Sequence, residues 1–294
     1  MSNEELKEVK FKISGTDLNA NSGYDLFYLS QSMELFHQLV EKTYLTLKDE
    51  KNMSKVKRED LKIRVFNIRP GSFEADFLIM IKGIVPSLLP MVTPLTAKTV
   101  WDTTKSSFEY LKTILKANEK GEKLHMDISN SENVNIINGN GSVIYVGHPD
   151  VIATAKETYP VFRKIANLVD EKEKTFEKAI FGDEFENEKT IEIGVEEKLL
   201  LQNKNVIEEN PVEFKGRIFN ADANKLSGKL EVLESEDIPL GEYSFEFIDK
   251  KNIKMLDYYD QDCNFSALKY SSFNPNTLEK TIVRLKLVSA YKES

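Results

Sequence analysis

The chain has 294 residues, of which 40% are hydrophobic, 30% charged and 10% aromatic, with a net charge of −8 and a single cysteine. Such a mixture is globular and excludes disordered and fibrous classes, and the length suffices for two compact domains. The lone Cys263 excludes an internal disulfide and any cysteine-cluster metal site.

The first residues, MSNEELKEVKFKISG, are charged and lack the apolar run of a secretory signal, so a cytosolic location is expected. Within them Val9, Phe11 and Ile13 alternate with polar residues at the period of a half-buried strand. Turn residues at 15–23 lead into one long helix, with Ser22 as its cap and Tyr24, Phe27, Met33, Phe36, Val40, Tyr44 and Leu47 as its apolar stripe. Residues 61–66 and 73–81 read as an antiparallel hairpin turning at Pro70-Gly71.

Residues 83–101, GIVPSLLPMVTPLTAKTVW, are apolar and carry prolines at 86, 90 and 94. The uncharged run ends at Ala97, short of the roughly 20 residues that span a bilayer. Proline inside a helix removes a donor and clashes with the preceding turn, so 84–94 resists regular helix. Pro94 suits a first helical turn capped by Thr93, which predicts a water-soluble amphipathic helix burying Trp101, Phe108, Leu111 and Leu115. Peripheral membrane contact through 83–97 is the competing expectation.

Residues 124–146 read as three strands with a hairpin turn at Asn138-Gly139. The helix that follows, to about Val169, is expected to kink or split at Pro160. Residues 170–210 hold 6 Lys against 13 Asp and Glu, nearly all of the net charge, and predict an acidic helical connector whose helix stops at Gly182. After Pro211 about five short alternating strands predict a small antiparallel barrel. The expected class is α+β: an N-terminal antiparallel sheet covered by long helices in 1–169, the connector in 170–210, and a β-barrel in 211–294.

Local catalytic grammar is sparse. Arg69, in the turn Arg69-Pro70-Gly71-Ser72, stands beside backbone donors as an anion contact would, and His148 is the other polar residue expected to line a ligand pocket in the N-terminal domain. None of His37, His125 and His148 has a second ligand at metal spacing in its own element, so no metal, cofactor or catalytic residue is assigned. Asp260 and Asp262 flank Cys263 and disfavour its thiolate. NGNGS at 138–142 is followed by a strand where a phosphate loop needs a helix. The acidic balance of 170–210 repels phosphate backbones and so disfavours general nucleic-acid binding, while Glu184, Glu186 and Glu188 offer a docking surface for a basic protein.

The order of VKFKISG, a long helix, IRVFNIRPGSFEADFLI and a C-terminal VEFKGRIFNAD resembles a family of uncharacterised bacterial and phage proteins. That resemblance implies an α/β N-terminal region and a five-stranded β-barrel, and brings no catalytic residues with it. Together these readings point to a non-enzymatic cytosolic protein–protein interaction module. In a phage or prophage setting it would bind and modulate a host defence complex; a second copy of the chain is a further candidate partner. The alternatives are a small-ligand sensor or enzyme using Arg69 and His148, and a peripheral membrane protein using 83–97.

Overall fold

Alternation at Val9, Phe11 and Ile13 does produce a strand, and it lies at the middle of the larger of two units. The computed structural model describes residues 4–21, 23–69, 72–82, 95–130, 133–183, 190–202, 206–208 and 210–292. Its class is α+β, and it divides into Met1–Gln202 and Asn203–Ser294.

In the first unit β1 (Glu4–Ser14) is followed by a small bridge pair, β2 (Leu18–Asn19) and β3 (Gly23–Tyr24), and by α1 (Leu26–Leu47). Next come α2 (Lys55–Asp60), β4 (Leu61–Arg69) and β5 (Phe73–Lys82). After α3 (Ala97–Glu119) a meander of β6 (Leu124–Asn130), β7 (Asn133–Asn138) and β8 (Val143–Gly147) leads to α4 (Pro149–Leu168). The unit closes with β9 (Lys178–Gly182), β10 (Ile191–Ile193) and α5 (Val195–Gln202).

The main sheet runs β10-β9-β1-β5-β4 and is antiparallel throughout. One face buries Val9, Phe11 and Ile13 of β1 with Phe73, Ala75, Phe77, Ile79 and Ile81 of β5. α1 and α3 lie on that face, and α4 packs across both helices. At the contact Phe36 of α1 stacks on Phe77 with ring centroids 4.6 Å apart and on Phe181 of β9 at 5.5 Å, while Trp101 of α3 tilts against it at 5.9 Å. The helices also meet through small hydroxyls, with Thr104 donating to Thr43 at 2.9 Å in the buried α1–α3 seam.

A charged clasp holds the end of β9. The Trp101 indole N–H donates to Asp183 Oδ1 at 2.8 Å, Lys105 donates to Oδ2 at 2.8 Å, and Lys7 of β1 lies 3.1 Å from Oδ1. Burial pushes the Asp183 carboxyl up, but the bonds from Lys105, Lys7 and Trp101 hold it below the usual carboxylate range.

Several local expectations need correction. Residues 170–202 are no helical connector: they supply β9 and β10 to the main sheet and α5 beside α4. The reason is the apolar run Ala179-Ile180-Phe181, buried on both sides of β9, while the preceding charges sit in a turn where Asp170 accepts from the Lys172 and Glu173 amides. Gly182 therefore ends a strand. α3 starts at Ala97 because the Thr96 hydroxyl caps it, accepting from the Thr99 amide at 2.9 Å, so Thr93 is not its cap. The α1 cap is Asp25, and Phe27 is exposed although Phe36, Val40 and Tyr44 are buried as expected. Pro160 lies inside an uninterrupted α4. Residues 83–94, with most of the proline-studded stretch, lie outside the described residues; among those described, no helix is long and apolar enough to cross a membrane.

The second unit contains the short β11 (Val206–Ile207), then β12 (Val212–Asp222), β13 (Ser227–Glu234), β14 (Gly241–Phe247), a 3-10 helix (Lys250–Tyr258), β15 (Asp262–Asn274) and β16 (Glu279–Tyr291). The five long strands close a barrel in the order β12-β13-β14-β16-β15-β12, and β11 adds to the outside of β15. Every pair is antiparallel except β14–β16, which is parallel. Five strands in this order, with the helical turn between the third and fourth, form the arrangement of an OB-type barrel. β12 belongs to two pairings at once and bends at a register shift beside Gly216, where a Cβ would come within 2.6 Å of the Glu231 carbonyl oxygen. Phe214, Phe245, Phe265, Leu285 and Leu287 fill the interior.

Truncating Phe36 to Ala should lower the unfolding free energy by about 3–5 kcal/mol, since it removes a ring touching both layers. Urea titration followed by far-UV circular dichroism checks this, and a loss under about 1 kcal/mol would contradict the central role given to that ring.

Candidate functional site

The residues singled out from sequence do not assemble into one site. The Arg69 guanidinium is bonded to the buried carboxylate of Asp76, which also accepts from Asn67 Nδ2 at 3.0 Å. Asn67 reaches it from a left-handed backbone conformation, φ 49°, inside a bulge between Phe66 and Arg69. Burial pushes Asp76 up, while the bonds from Arg69 and Asn67 and the charges of Arg69 and Lys10 hold it below the ordinary range. Arg69 thus fastens its own hairpin. His148 caps α4, its Nδ1 accepting from the Asp150 amide at 3.2 Å. Among the described residues no bond joins His148 to Arg69.

Glu184, Glu186 and Glu188 lie outside the described residues. Cys263 is buried in the barrel, where burial pushes its thiol up against an opposing effect of Lys292, with a lesser upward push from Asp262. Among the described residues no three His, Cys, Asp or Glu side chains are grouped as metal ligands. Gly141, φ 79°, and Asn138, which accepts from the Asn140 and Ser142 amides, make NGNGS a hairpin turn.

The strongest constellation was not anticipated. β4 is the outer strand of the main sheet, so alternate N–H and C=O groups along it point away from β5. Its burial falls along its length, from Leu61 at 6% exposed to Val65 at 41%, Phe66 at 44% and Ile68 at 62%. On the face away from α1 and α3, Leu6 of β1 is 55% exposed and is paired with Met80, itself paired with Lys62.

Beside the first half of β4 is a cavity of about 400 Å³, lined by His37 and Glu41 of α1, Met53, Arg58 of α2, and Leu61, Lys62, Ile63 and Arg64. α2 is held there by the Ser54 cap and by an ion pair from Lys57 to Glu50. Glu41 lies 3.7 Å from His37, an ion pair only when the imidazole is protonated. Arg58, Lys62 and Arg64 make no ion pair among the described residues, so three cations face one carboxylate in a chain of net charge −8. The signal available in sequence was the spacing Arg58, Lys62, Arg64, but nothing local says that these residues stand at a sheet edge.

A single-strand nucleic-acid platform needs basic and aromatic side chains. The outward side chains of β13 and β14 include Lys229 beside Glu231, Glu242 and Glu246, with Glu231 directly opposite Glu242 and Glu246 paired with Arg284. No family model, no curated protein and no solved structure matches this chain.

The Arg69–Asp76 geometry has a measurable consequence. Because the folded Asp76 carboxyl is held low, its stabilisation is fully present above the unfolded carboxylate value and is lost as pH falls through the folded one. Arg69→Met removes the partner and leaves burial dominant, so the variant should be less stable than wild type at pH 7, with a smaller deficit near pH 3. Urea midpoints measured between pH 3 and pH 7 check the sign; a deficit independent of pH would contradict it.

Proposed function

We propose that the protein is a non-enzymatic interaction module that binds another protein through the open edge of its main sheet. The observation that carries this reading is β4: an outer strand bearing exposed Val65, Phe66 and Ile68, with backbone groups that no other described strand engages. An apolar, hydrogen-bond-ready edge is what strand-adding partners use, and soluble proteins otherwise cover or blunt such edges. Affinity would come from apolar contacts at Val65 and Phe66 together with main-chain pairing, and the charges around them would set orientation and association rate.

Affinity purification of the full chain from its host, with the mass of the intact assembly measured, tests the reading. Wild type should retain a stoichiometric protein partner, and the surface double variant Val65→Lys, Ile68→Lys should lose it while keeping its thermal midpoint within about 3 °C. Retention of the same partner by both proteins, or no protein partner on wild type, would refute the reading.

A further inference from the structure

We infer that the β4 edge recognises an extended acidic segment of a partner, with acidic and apolar residues in alternation; this rests on the interaction reading above and names the chemistry of what is bound. The outer strand offers six regular residues, Leu61 to Phe66, before the bulge at Asn67 breaks the register. That is about 20 Å, enough for one guest strand of five or six residues. Side chains alternate along it. Lys62, Arg64 and Phe66 point to the face shared with Met80, Leu78 and Asp76, and Leu61, Ile63 and Val65 to the opposite one.

A guest paired to this edge would place every second side chain beside Lys62 and Arg64, neither of which has an ion-pair partner among the described residues. Carboxylates at those positions satisfy both cations and gain from opposite-charge pairing across strands. The intervening side chains fall beside Ile63 and Val65, near the cavity between α1, α2 and β4, where Met53, Leu61 and Ile63 form apolar walls. An apolar residue fits there. Arg58 at the rim adds a third contact for a guest carboxylate, and Glu41 is the one carboxylate lining that cavity, 3.7 Å from His37.

The same residues argue against a second copy as the occupant. An antiparallel pair of identical β4 strands has its two-fold axis on one residue. With the axis on Arg64, that arginine opposes itself; with the axis on Ile63, Lys62 opposes Arg64. Like charges directly opposite one another destabilise a strand pair. With the axis on Val65, Ile63 must pair with Asn67, where the bulge has already broken the ladder. The edge is guarded against itself and open to an acidic strand.

The test uses the full chain and three probes: an acetylated, amidated peptide alternating Glu and Val, its counterpart alternating Lys and Val, and inorganic phosphate at matched ionic strength. Fluorescence anisotropy should show saturable binding of the Glu peptide only, and hydrogen exchange should show added protection at alternate amides of 61–66. Lys62→Glu with Arg64→Glu should weaken binding about tenfold or more, while Lys62→Arg with Arg64→Lys should keep it within about threefold. Equal binding of both peptides, saturable phosphate binding at the cavity, added protection elsewhere, no binding of the Glu peptide, or dimerisation of the chain through β4 would each overturn the proposal. If the Glu peptide fails while the host partner is still lost in the Val65 and Ile68 variant, the edge remains the binding site and only its acidic specificity is wrong.

Discussion

The first unit depends on aromatic rings that belong to two layers at once. Phe36 projects from α1 into the sheet and lies against Phe77 and Phe181, with Trp101 of α3 at its side. Phe11 of β1 completes the group, 4.7 Å from Phe77 and 5.3 Å from Phe181. Large flat rings bury much area with few torsions to fix, so one such group orients strands and helices together. Trp101 also brings a polar tip, and its bond to Asp183 explains why an acidic residue is tolerated beside the core. Removing that carboxylate would leave the indole N–H without its partner and Lys105 with Asp102 alone, which costs more than the bond itself is worth.

With one face of the sheet covered by α1 and α3, Leu6 on the other face and Val65, Phe66 and Ile68 of the outer strand β4 are exposed. Several carboxylates close to the described fold are tied down, by Lys7 and Lys105 at Asp183, by Arg69 at Asp76, and by Lys12 at Glu74. Arg58, Lys62 and Arg64 differ in making no ion pair among the described residues, and they sit together. In an acidic protein such a local reversal of sign focuses oppositely charged groups, and its reach in physiological salt is only about 8 Å, so it selects at close range.

The barrel separates architecture from activity. Its strand order is one that carries many unrelated functions, and a fold of this kind predicts nothing without the side chains of a site. On the β13–β14 face Glu231 lies opposite Glu242 and Lys229 opposite Ser244.

The sequence by itself determined which segments are strands and helices wherever the apolar period was sustained: β1, the β4–β5 and β7–β8 hairpins, the buried stripes of α3 and α4, and the alternating barrel strands. It also identified the turn at NGNGS, because Asn and Gly have few other uses between two apolar runs. It misread 170–202, since a five-residue strand among carboxylates carries too little periodicity to outweigh composition. Only the tertiary structure decided that β9 returns to lie beside β1, that Asp183 meets Trp101 from 82 residues away, and that β4 is outermost. Strand pairing is a long-range choice made by the whole core. Lys62 and Arg64 read as ordinary surface charges until the fold shows that, among the described residues, no strand lies beyond them.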